Sequence, residues 1–495
     1  MAAFAIIRMK EIPLYIQLHP EDSRCLYEQI YEHIRDQIRE RKLLAGEKLP
    51  SARYLAQSLQ VSRTTVDMAY GQLTAEGYLE ARPKRGYYVC EIETLYEIRT
   101  DSLSAVYSAN DSNAYSYNVS ESGKTSIRFD FSPNAIDMSL FPYATWKKIS
   151  KNILVDAKSS MFALGEPQGD LELRTTICRY LYGARGVDCE PEQIIIGAGN
   201  DYLLLLLEKI LGRHIPIAME NPTYMRAYRI FCSFAWDVKL LPMDESGMSV
   251  EALRESRAKA AYVMPAHQYP TGIIMPIARR MELLKWAGEE PDRYLIEDDY
   301  DSEFRYRGRP IPSLQASDKH GCVVYIGTFS KAIAPAIRIS YMVLPMSLLN
   351  KYKANCGYYA STVSRIDQTI LNEFIAGGYF ERYLNRMRQH YRNKHDLLLR
   401  ELHDFEKDFA ISGENAGLHL VLSDLKNREE RTLVEAAMAQ GVKVYPLGDF
   451  IAGETEEKDS GKMQGKKNPA TIILGYGALS EEEISKAAEA LKRAW

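Results

Sequence analysis

Cysteine pairs, long apolar runs and an excess of positive charge are all missing from this 495-residue chain. Its seven cysteines are odd in number, scattered and never arranged as CxxC, which argues against a disulfide framework or a zinc site and favours a reducing cytoplasm. No apolar run approaches the ~20 residues of a membrane helix, and Arg8 and Lys10 interrupt the start, so we expect neither a membrane span nor a signal peptide. A net charge of -4 restricts any contact with nucleic acid to a local basic patch.

The length and composition favour a protein with more than one folded core. A chain of 495 residues is far longer than a typical single domain, and contents of 46% hydrophobic and 26% charged residues are ordinary for soluble globular proteins. We therefore expect one small and one large domain.

Three amphipathic helical patterns follow one another near the start of the chain. The first runs from Cys25 to Arg41, with apolar residues four positions apart on one face. Ser51 and Ser62 precede the second and third patterns as N-caps, and Gly77 supplies the stop. Because the second and third patterns are joined by a tight turn, they predict a helix-turn-helix.

The start of the last of these helices is where such a motif meets DNA. Arg63, Thr64 and Thr65 lie there, in reach of base edges and phosphates. The following run YLEARPKRGYYV alternates short strand patches around a turn at residues 83–86 that carries two cations, which predicts a wing. An ordinary three-helix domain with solvated cations would give a similar outline.

Sequence detail favours the DNA-binding interpretation. The runs LYEQIYEHIRDQI, AGEKLPSARYLAQSL, VSRTTVDMAYGQLTAEGYL and RGYYV closely resemble the winged-helix head of GntR-superfamily regulators. The resemblance implies a DNA-binding domain at residues 12–91. It also implies DNA contacts by Ser51, Arg53, Ser62, Arg63, Thr64, Thr65, Arg85 and Gly86.

Residues 92–126 interrupt the pattern of folded elements. They lose helical periodicity and are dominated by serine, asparagine, tyrosine and charged residues. We interpret them as a flexible linker with an r.m.s. span of roughly 30–35 Å, enough for the head to sit on a neighbouring subunit.

Beyond the linker, short apolar runs rich in β-formers alternate with longer amphipathic stretches. The runs are QIIIGAG, IPIAME, AYVMPA, RYLIEDD and CVVYIGT. Strands that alternate with helices predict an α/β fold with a mostly parallel sheet. Ligands of such sheets bind at the carboxyl ends of the strands.

Chemistry-bearing residues follow two of these runs. Thr328 and Ser330, which can bind a phosphate, flank the end of CVVYIG beside Lys331, and Arg338 offers a planar fork for the same anion. Carboxylates and a phenol cluster at residues 297–300. A pyridoxal phosphate site needs an amine for a Schiff base, a carboxylate for the pyridine nitrogen and phosphate anchors. Acid clusters and hydroxyls can equally be structural.

Longer motifs resemble the fold-type I aminotransferases across most of residues 127–495. SKAIAPAIRISY resembles their lysine motif, EDDYDSEF their pyridine-nitrogen motif, and ALGEPQGDLELRTTICRYLYGARGVDCEPEQIIIGAGNDYLLLL their amino-terminal segment. By that resemblance Lys331 holds pyridoxal 5'-phosphate, Asp298 pairs with its pyridine nitrogen and Tyr300 binds its phenolic oxygen. Asp299 is the fallback acid.

The same resemblance completes the predicted site. Gly199 and Asn200 would open a helix onto the cofactor phosphate, in one cup with Thr328, Ser330 and Arg338. An effector would meet Tyr224, which stacks near the cofactor ring, Arg226 and His267. Arg226 could equally be a surface cation, and His267 a structural histidine.

A GntR-like head joined to an aminotransferase-like body resembles the MocR-type, GabR-like regulators. The resemblance implies a winged helix-turn-helix domain plus a fold-type I domain with a large α/β part and a smaller C-terminal α+β part. It implies a cytoplasmic homodimer that binds a double-stranded DNA operator and senses an amino-group effector, or pyridoxal phosphate itself.

The chain also departs from working aminotransferases. Tyr269 stands where they carry an asparagine before Pro-Thr-Gly, and no arginine occurs between Tyr445 and Tyr476 to clamp a substrate carboxylate. Asp449 lies where related regulators can place a basic residue, and residues 452–468 read as a mobile charged loop. An active aminotransferase with an appended DNA-binding head remains the alternative function.

Overall fold

The computed structural model describes residues 16, 18, 25–40, 42–82, 85–90, 127–155, 159–306, 311–413, 416–453 and 469–495. The predicted linker and most of the predicted charged loop lie outside these ranges. Contacts divide the chain into two compact units: the described residues up to 90 together with Ile274–Lys285, and the remaining described residues. No helix in the described ranges is long and apolar enough to cross a membrane.

The first unit contains three helices and a two-stranded hairpin. Their bounds are α1 Leu26–Arg39, α2 Ala52–Ser58, α3 Arg63–Ala75, β1 Leu79–Arg82 and β2 Gly86–Val89. Ser51 caps α2 by accepting the backbone N–H of Tyr54 at 3.2 Å, and Ser62 caps α3 by accepting that of Thr65 at 3.1 Å. Both predicted N-caps are confirmed, whereas α1 ends two residues before the predicted Arg41.

The core of this unit lies where α1 and α3 meet. Ile30, Ile34, Val66 and Leu73 are fully buried, as the four-residue periodicity predicts. The hydroxyl of Tyr70 donates to the carbonyl of Pro50 at 2.9 Å and so ties α3 to the residues before α2. β1 and β2 pair antiparallel as the predicted wing requires, although Pro83 and Lys84 of its turn lie outside the described residues.

The second unit alternates strands and helices. Its helices are α4 Tyr143–Val155, α5 Leu171–Arg185, α6 Asn200–Leu211, α7 Met225–Ser233, α8 Val250–Glu255, α9 Ile277–Gly288 (which begins in residues counted with the first unit), α10 Phe329–Ala332, α11 Met346–Cys356, α12 Arg365–Ala376, α13 Tyr379–Glu401, α14 Glu430–Ala439 and α15 Glu481–Ala494. Its strands are β3 Phe129–Asp130, β4 Ile194–Gly197, β5 Pro216–Asn221, β6 Asp237–Asp244, β7 Gly247–Met248, β8 Ala260–Val263, β9 Tyr294–Asp299, β10 Val323–Thr328, β11 Ser340–Val343, β12 Phe409–Ser412, β13 His419–Asp424, β14 Val442–Lys443, β15 Tyr445–Pro446 and β16 Thr471–Gly475.

The large sheet has eight strands in the order β4-β11-β10-β9-β8-β5-β6-β7. The pairs from β10 through β9, β8 and β5 to β6 are parallel, and β11, β4 and β7 join antiparallel. Ile194 and Ile196 enter one hydrophobic cluster while Ile195 enters another, so both faces of the sheet are covered. The five predicted strands and the mostly parallel sheet are confirmed.

A smaller antiparallel sheet follows in the C-terminal part, in the order β12-β13-β16-β15. Leu433 of α14 and Ile484 of α15 are buried in the cluster that also takes side chains from β13 and β16. The two sheets confirm the predicted large α/β part and the smaller C-terminal α+β part.

The register of β9 and β10 positions the site. These neighbouring parallel strands pair Asp299 with Gly327, so the chain leaves both strands at the same edge of the sheet. Tyr300 follows β9 and Lys331 follows β10 by a few residues, which brings the predicted phenol and the predicted lysine together.

Candidate functional site

A cleft with a cavity volume of about 210 Å³ lies at this edge of the sheet. Nine of the residues that the sequence assigns to a cofactor or effector line it: Asn200, Tyr224, Arg226, Asp298, Tyr300, Thr328, Ser330, Lys331 and Arg338. Gly199 immediately precedes the cleft residue Asn200, whereas His267 is not among the lining residues.

Lys331 lies on the single turn of α10 with its amine enclosed. The Nζ atom donates to the carbonyl of Pro133 at 3.2 Å and lies 5.2 Å from the ring centroid of Tyr300. Burial lowers the pKa of the Lys331 amine from its ordinary value, and the carboxylate of Asp301 opposes that shift. A lower pKa increases the fraction of the uncharged, nucleophilic amine.

Asp298 is the acid that faces the cleft. It is only 3% exposed, and its carboxylate accepts from the hydroxyl of Tyr262 and from Nδ2 of Asn200, the latter at 3.4 Å. Burial raises the pKa of Asp298 to about 7. A cationic partner would lower that pKa again, because it stabilises the carboxylate. Asp299 instead forms a buried ion pair with Arg185 at 2.6 Å and does not line the cleft.

One end of the cleft is built as an anion cradle. Gly199 directly precedes α6 and has a φ of 92°. The backbone N–H groups of the first turn of a helix have no partner within the helix, so they can donate to an anion beside Gly199. A Cβ on Gly199 would lie 2.0 Å from Nη2 of Arg338, so only glycine leaves that guanidinium in place. In the structure Arg338 reaches Asp201 at 3.3 Å.

Two hydroxyls lie beside the cradle. Thr328 caps α10 by accepting the backbone N–H of Ser330 at 3.1 Å, and its oxygen is 2.8 Å from the hydroxyl of Ser340. The Oγ of Ser330 is buried and has no hydrogen-bond partner among the described residues. A buried hydroxyl without a partner at the edge of a cleft is a natural donor to a bound anion.

Aromatic rings form one wall of the cleft. Tyr269 packs edge-on against Tyr224 and Tyr300, with ring centroids 5.8 Å apart in both pairs. Its hydroxyl accepts from Nδ2 of Asn134 at 3.0 Å. Asn134 and Pro133 were missed by sequence reasoning, because they belong to a segment far from the strand-end motifs and carry no motif of their own.

The basic groups available to a ligand carboxylate are few. Arg226 is 54% exposed and lies 3.6 Å from Asp201, and in the described part of the chain it and Arg338 are the arginines that line the cleft. The five residues of β16 are buried and include no arginine. Asp449 is also outside the cleft lining, and burial raises its pKa.

His267 lies behind the wall. It is 2% exposed, and its Nδ1 is 3.0 Å from Oδ2 of Asp301 and 3.0 Å from the hydroxyl of Tyr300. His267 thus contacts the cleft residue Tyr300, and its contact with an effector stays a prediction.

The predicted DNA-binding residues cluster on the first unit. Arg63, Thr64 and Thr65 form the first turn of α3, and the side chain of Arg63 is 71% exposed and 3.3 Å from Asp67. Ser51 and Arg53 lie at the start of α2, and Ser62 is the cap of α3. Arg85 and Gly86 lie at the beginning of the second wing strand.

Family models match both units. The model described as bacterial regulatory proteins of the gntR family matches residues 26–89, and the model described as aminotransferase class I and II matches residues 130–460. The probable rhizopine catabolism regulatory protein MocR of Rhizobium meliloti is 32% identical over 95% of this chain and 94% of its own length. The chain belongs to the MocR-type regulators of the GntR superfamily.

Two further regulators match 95% of this MocR-type chain, and a solved aminotransferase structure matches 74% of it. The HTH-type transcriptional regulator YdeL of Bacillus subtilis is 38% identical over 95% of the chain and 96% of its own length. The HTH-type pyridoxine biosynthesis transcriptional regulator PdxR of Corynebacterium glutamicum is 30% identical over 95% and 96%. The multiple substrate aminotransferase of Thermococcus profundus is 25% identical over 74% of the chain and 91% of its own, with a TM-score of 0.64.

Membership of the aminotransferase class I and II family implies pyridoxal 5'-phosphate as the cofactor of the MocR-type body. The residues present fit that group. A partly buried lysine amine lines the cleft, the guanidinium of Arg338 lies against Gly199 at the start of α6 and can pair with an anion, and the buried hydroxyl of Ser330 is free to donate within the described structure.

Proposed function

We propose that the body senses a small amino-group ligand through pyridoxal phosphate held at Lys331, and that this controls binding of the head to an operator. The observation that carries the proposal is the partly buried amine of Lys331, 5.2 Å from the ring centroid of Tyr300, in the same cleft as Asp298 and an anion cradle. Bound pyridoxal phosphate supplies an electrophilic carbon that primary amines attack.

The other residues of the cleft orient this chemistry. Asp298 would keep a proton on the pyridine nitrogen, since its carboxylate is buried without a cationic partner among the described residues and would be stabilised as an anion by one. Tyr300 would donate to the phenolic oxygen, and Tyr224 would flank the ring. The phosphate would be held by Gly199, Asn200, Thr328, Ser330 and Arg338.

The basic groups of the cleft limit the class of effector. With no arginine in β16, the carboxylate clamp of a working aminotransferase lacks one arm. Arg226 could read a single carboxylate, although it has to be shared with Asp201 at 3.6 Å. We therefore propose an amine, or an amino acid whose carboxylate is read by Arg226 alone.

We propose a homodimer as the DNA-binding form. Phe162 and Leu164 are 68% and 83% exposed, and large apolar side chains exposed close together on a monomer favour a protein interface. Two heads predict two half-sites on DNA. The effector would act by binding one arrangement of the dimer better than the other.

A second candidate is that pyridoxal phosphate is itself the signal. The observation that favours it is the 30% identity to PdxR, whose name refers to pyridoxine biosynthesis. In that case Lys331 would report the cofactor concentration, and no further amine would be needed.

The test is the absorbance spectrum of the purified protein with and without a panel of amines and amino acids. Lys331→Ala should abolish the band of lysine-bound cofactor, whereas the control Lys353→Ala, an exposed lysine on α11, should keep it. Survival of the band in Lys331→Ala would refute the proposal.

The same samples separate the alternatives. A band that shifts with one amine and does not progress to pyridoxamine supports a sensor. A band that bleaches to pyridoxamine and returns with a keto acid indicates an active aminotransferase. Operator affinity that changes when cofactor alone is added to the cofactor-free protein indicates pyridoxal phosphate as the signal.

A further inference from the structure

A cluster of three polar side chains lies behind the cleft wall. Nδ1 of His267 is 3.0 Å from Oδ2 and 3.2 Å from Oδ1 of Asp301, and it is also 3.0 Å from the hydroxyl oxygen of Tyr300. Tyr300 lines the cleft, whereas His267 and Asp301 are 2% exposed and do not. Tyr300 is thus the member of this cluster that lines the cleft.

The hydrogen of His267 can be assigned from its neighbours. A carboxylate accepts and does not donate, so Nδ1 facing Asp301 carries the proton. The opposite nitrogen, Nε2, is buried and has no partner in the described structure. Gly417 lies against the ring edge between the two nitrogens, because a Cβ there would lie 2.0 Å from Cε1 of His267.

The direction of the Tyr300 hydroxyl follows from that assignment. Burial raises the pKa of Tyr300 well above its ordinary value, so the group keeps its proton. Because Nδ1 of His267 carries a hydrogen, it cannot accept from Tyr300, and the O–H of Tyr300 is directed away from the imidazole. Without His267, the carboxylate of Asp301 would lose a donor and compete for the tyrosine proton.

We propose that His267, held by Asp301, is a positioning residue that turns the Tyr300 O–H into the cleft, toward the phenolic oxygen of the cofactor. The inference rests on the proposed function, because it requires a cofactor at Lys331. It assigns His267 a role without direct contact with the cofactor or the effector.

Other titratable groups surround the cluster, and their protonation must not change during a test. His419 on β13 faces His267 with ring centroids 5.2 Å apart, and its Nε2 donates to the carbonyl of Pro270 at 2.9 Å. Burial lowers the pKa of His419 to about 3, so it stays uncharged at neutral pH. Lys331, Tyr269 and Asp298 act on the cluster from the cleft side.

The experiment is a pH titration of the Lys331-dependent absorbance band in the cofactor-loaded, full-length protein. A hydrogen bond to the phenolic oxygen stabilises its deprotonated form. Loss of that bond in His267→Leu should raise the pH midpoint by about one unit. His267→Asn, whose amide nitrogen can take the place of Nδ1, should stay close to the wild-type midpoint.

Two further variants make the test specific. In a Tyr300→Phe background, His267→Leu should cause no additional shift, since the pair acts through that hydroxyl. His419→Gln retains a donor for Pro270 and should leave the midpoint unchanged. If His267→Leu does not fold, His267→Gln replaces it, because the longer amide reaches the Nε2 position rather than Nδ1.

The outcomes are distinct. The positioning role alone would be overturned by an unchanged midpoint in His267→Leu, or in His267→Gln if the leucine variant does not fold. It would also be overturned if His267→Leu caused the same shift in the Tyr300→Phe background. Absence of a Lys331-dependent band from the wild-type protein would overturn the proposed function together with it.

Discussion

Replacing Gly199 by alanine tests whether the start of α6 and Arg338 form one anion cradle. Gly199 has a φ of 92° and a ψ of 167°, a region that glycine occupies almost alone. A Cβ there would lie 2.0 Å from Nη2 and 2.5 Å from Cζ of Arg338. The alanine should therefore strain its own backbone and displace the guanidinium.

The two effects should appear in different measurements. Backbone strain of this kind should lower the free energy of unfolding by about 1–3 kcal/mol. Arg338 is 45% exposed, so its guanidinium can move into solvent, and a hydrogen bond to the charged phosphate, worth about 1.5–3 kcal/mol, is lost. Since 1.4 kcal/mol is tenfold in affinity, cofactor affinity should fall by roughly 10- to 150-fold.

Cofactor affinity is measured by absorbance titration of the cofactor-free protein, and stability by urea unfolding. Gly183→Ala is the matched control, because Gly183 lies in α5 and a Cβ there meets nothing within 4 Å. It should leave cofactor affinity unchanged and gain up to about 1 kcal/mol of helix stability.

A double variant sharpens the test. If the alanine acts by displacing Arg338, Gly199→Ala combined with Arg338→Ala should bind the cofactor no more weakly than Arg338→Ala alone. Fully additive losses, or an affinity of Gly199→Ala within about threefold of wild type, would refute the cradle.

Three further predictions concern the head, a buried ion pair and pH. Arg63→Ala should weaken binding to an operator selected from random duplexes by about 1–3 kcal/mol, with Arg431→Ala on α14 as a control that leaves it unchanged; equal affinities would remove Arg63 from the interface. Lys394→Met should destabilise the body by about 3–5 kcal/mol in urea unfolding, because the buried amine lies 2.5 Å from Asp137, and a loss no larger than that of surface substitutions would contradict this. Burial raises the pKa of Asp298 from 3.8 to about 7, so the folded state binds its proton more tightly and this group's contribution to stability falls as pH rises between those values. In the cofactor-free protein, the stability of Asp298→Asn relative to wild type should therefore increase from pH 4 to pH 7, and a constant difference would contradict the burial effect.

The features that could be predicted best from the sequence are those encoded by a few neighbouring residues. Ser51 and Ser62 precede apolar-periodic runs, and each caps its helix as predicted. Asp298 lies near the end of the buried strand β9 and Lys331 follows the buried strand β10, and these parallel neighbours carry both residues to one edge. Such signals need only a few consecutive residues, so they survive in a single sequence.

Contacts between distant segments could not be predicted in the same way. Asn134 reaches the hydroxyl of Tyr269 across 135 positions of the chain, and no motif marks it. His267 was predicted either to contact an effector or to be a structural histidine, because the direction of a side chain after a strand depends on what packs behind it. In the structure Asp301 and Gly417 fix His267 behind Tyr300.

The residues of the cleft fit a sensor that lacks one of the arginines with which aminotransferases hold a substrate carboxylate. A working aminotransferase must hold its substrate rigidly enough to react, whereas a sensor needs only a difference in affinity between two arrangements. The chain retains the partly buried Lys331 and the anion cradle, but the buried residues of β16 supply no arginine. One missing charge-assisted hydrogen bond is worth about 1.5–3 kcal/mol, which makes binding of an amino acid roughly 10- to 150-fold weaker. Selectivity must then come from the wall of Tyr224 and Tyr269 and from the amine itself, which favours reversible reporting of an abundant ligand over its conversion.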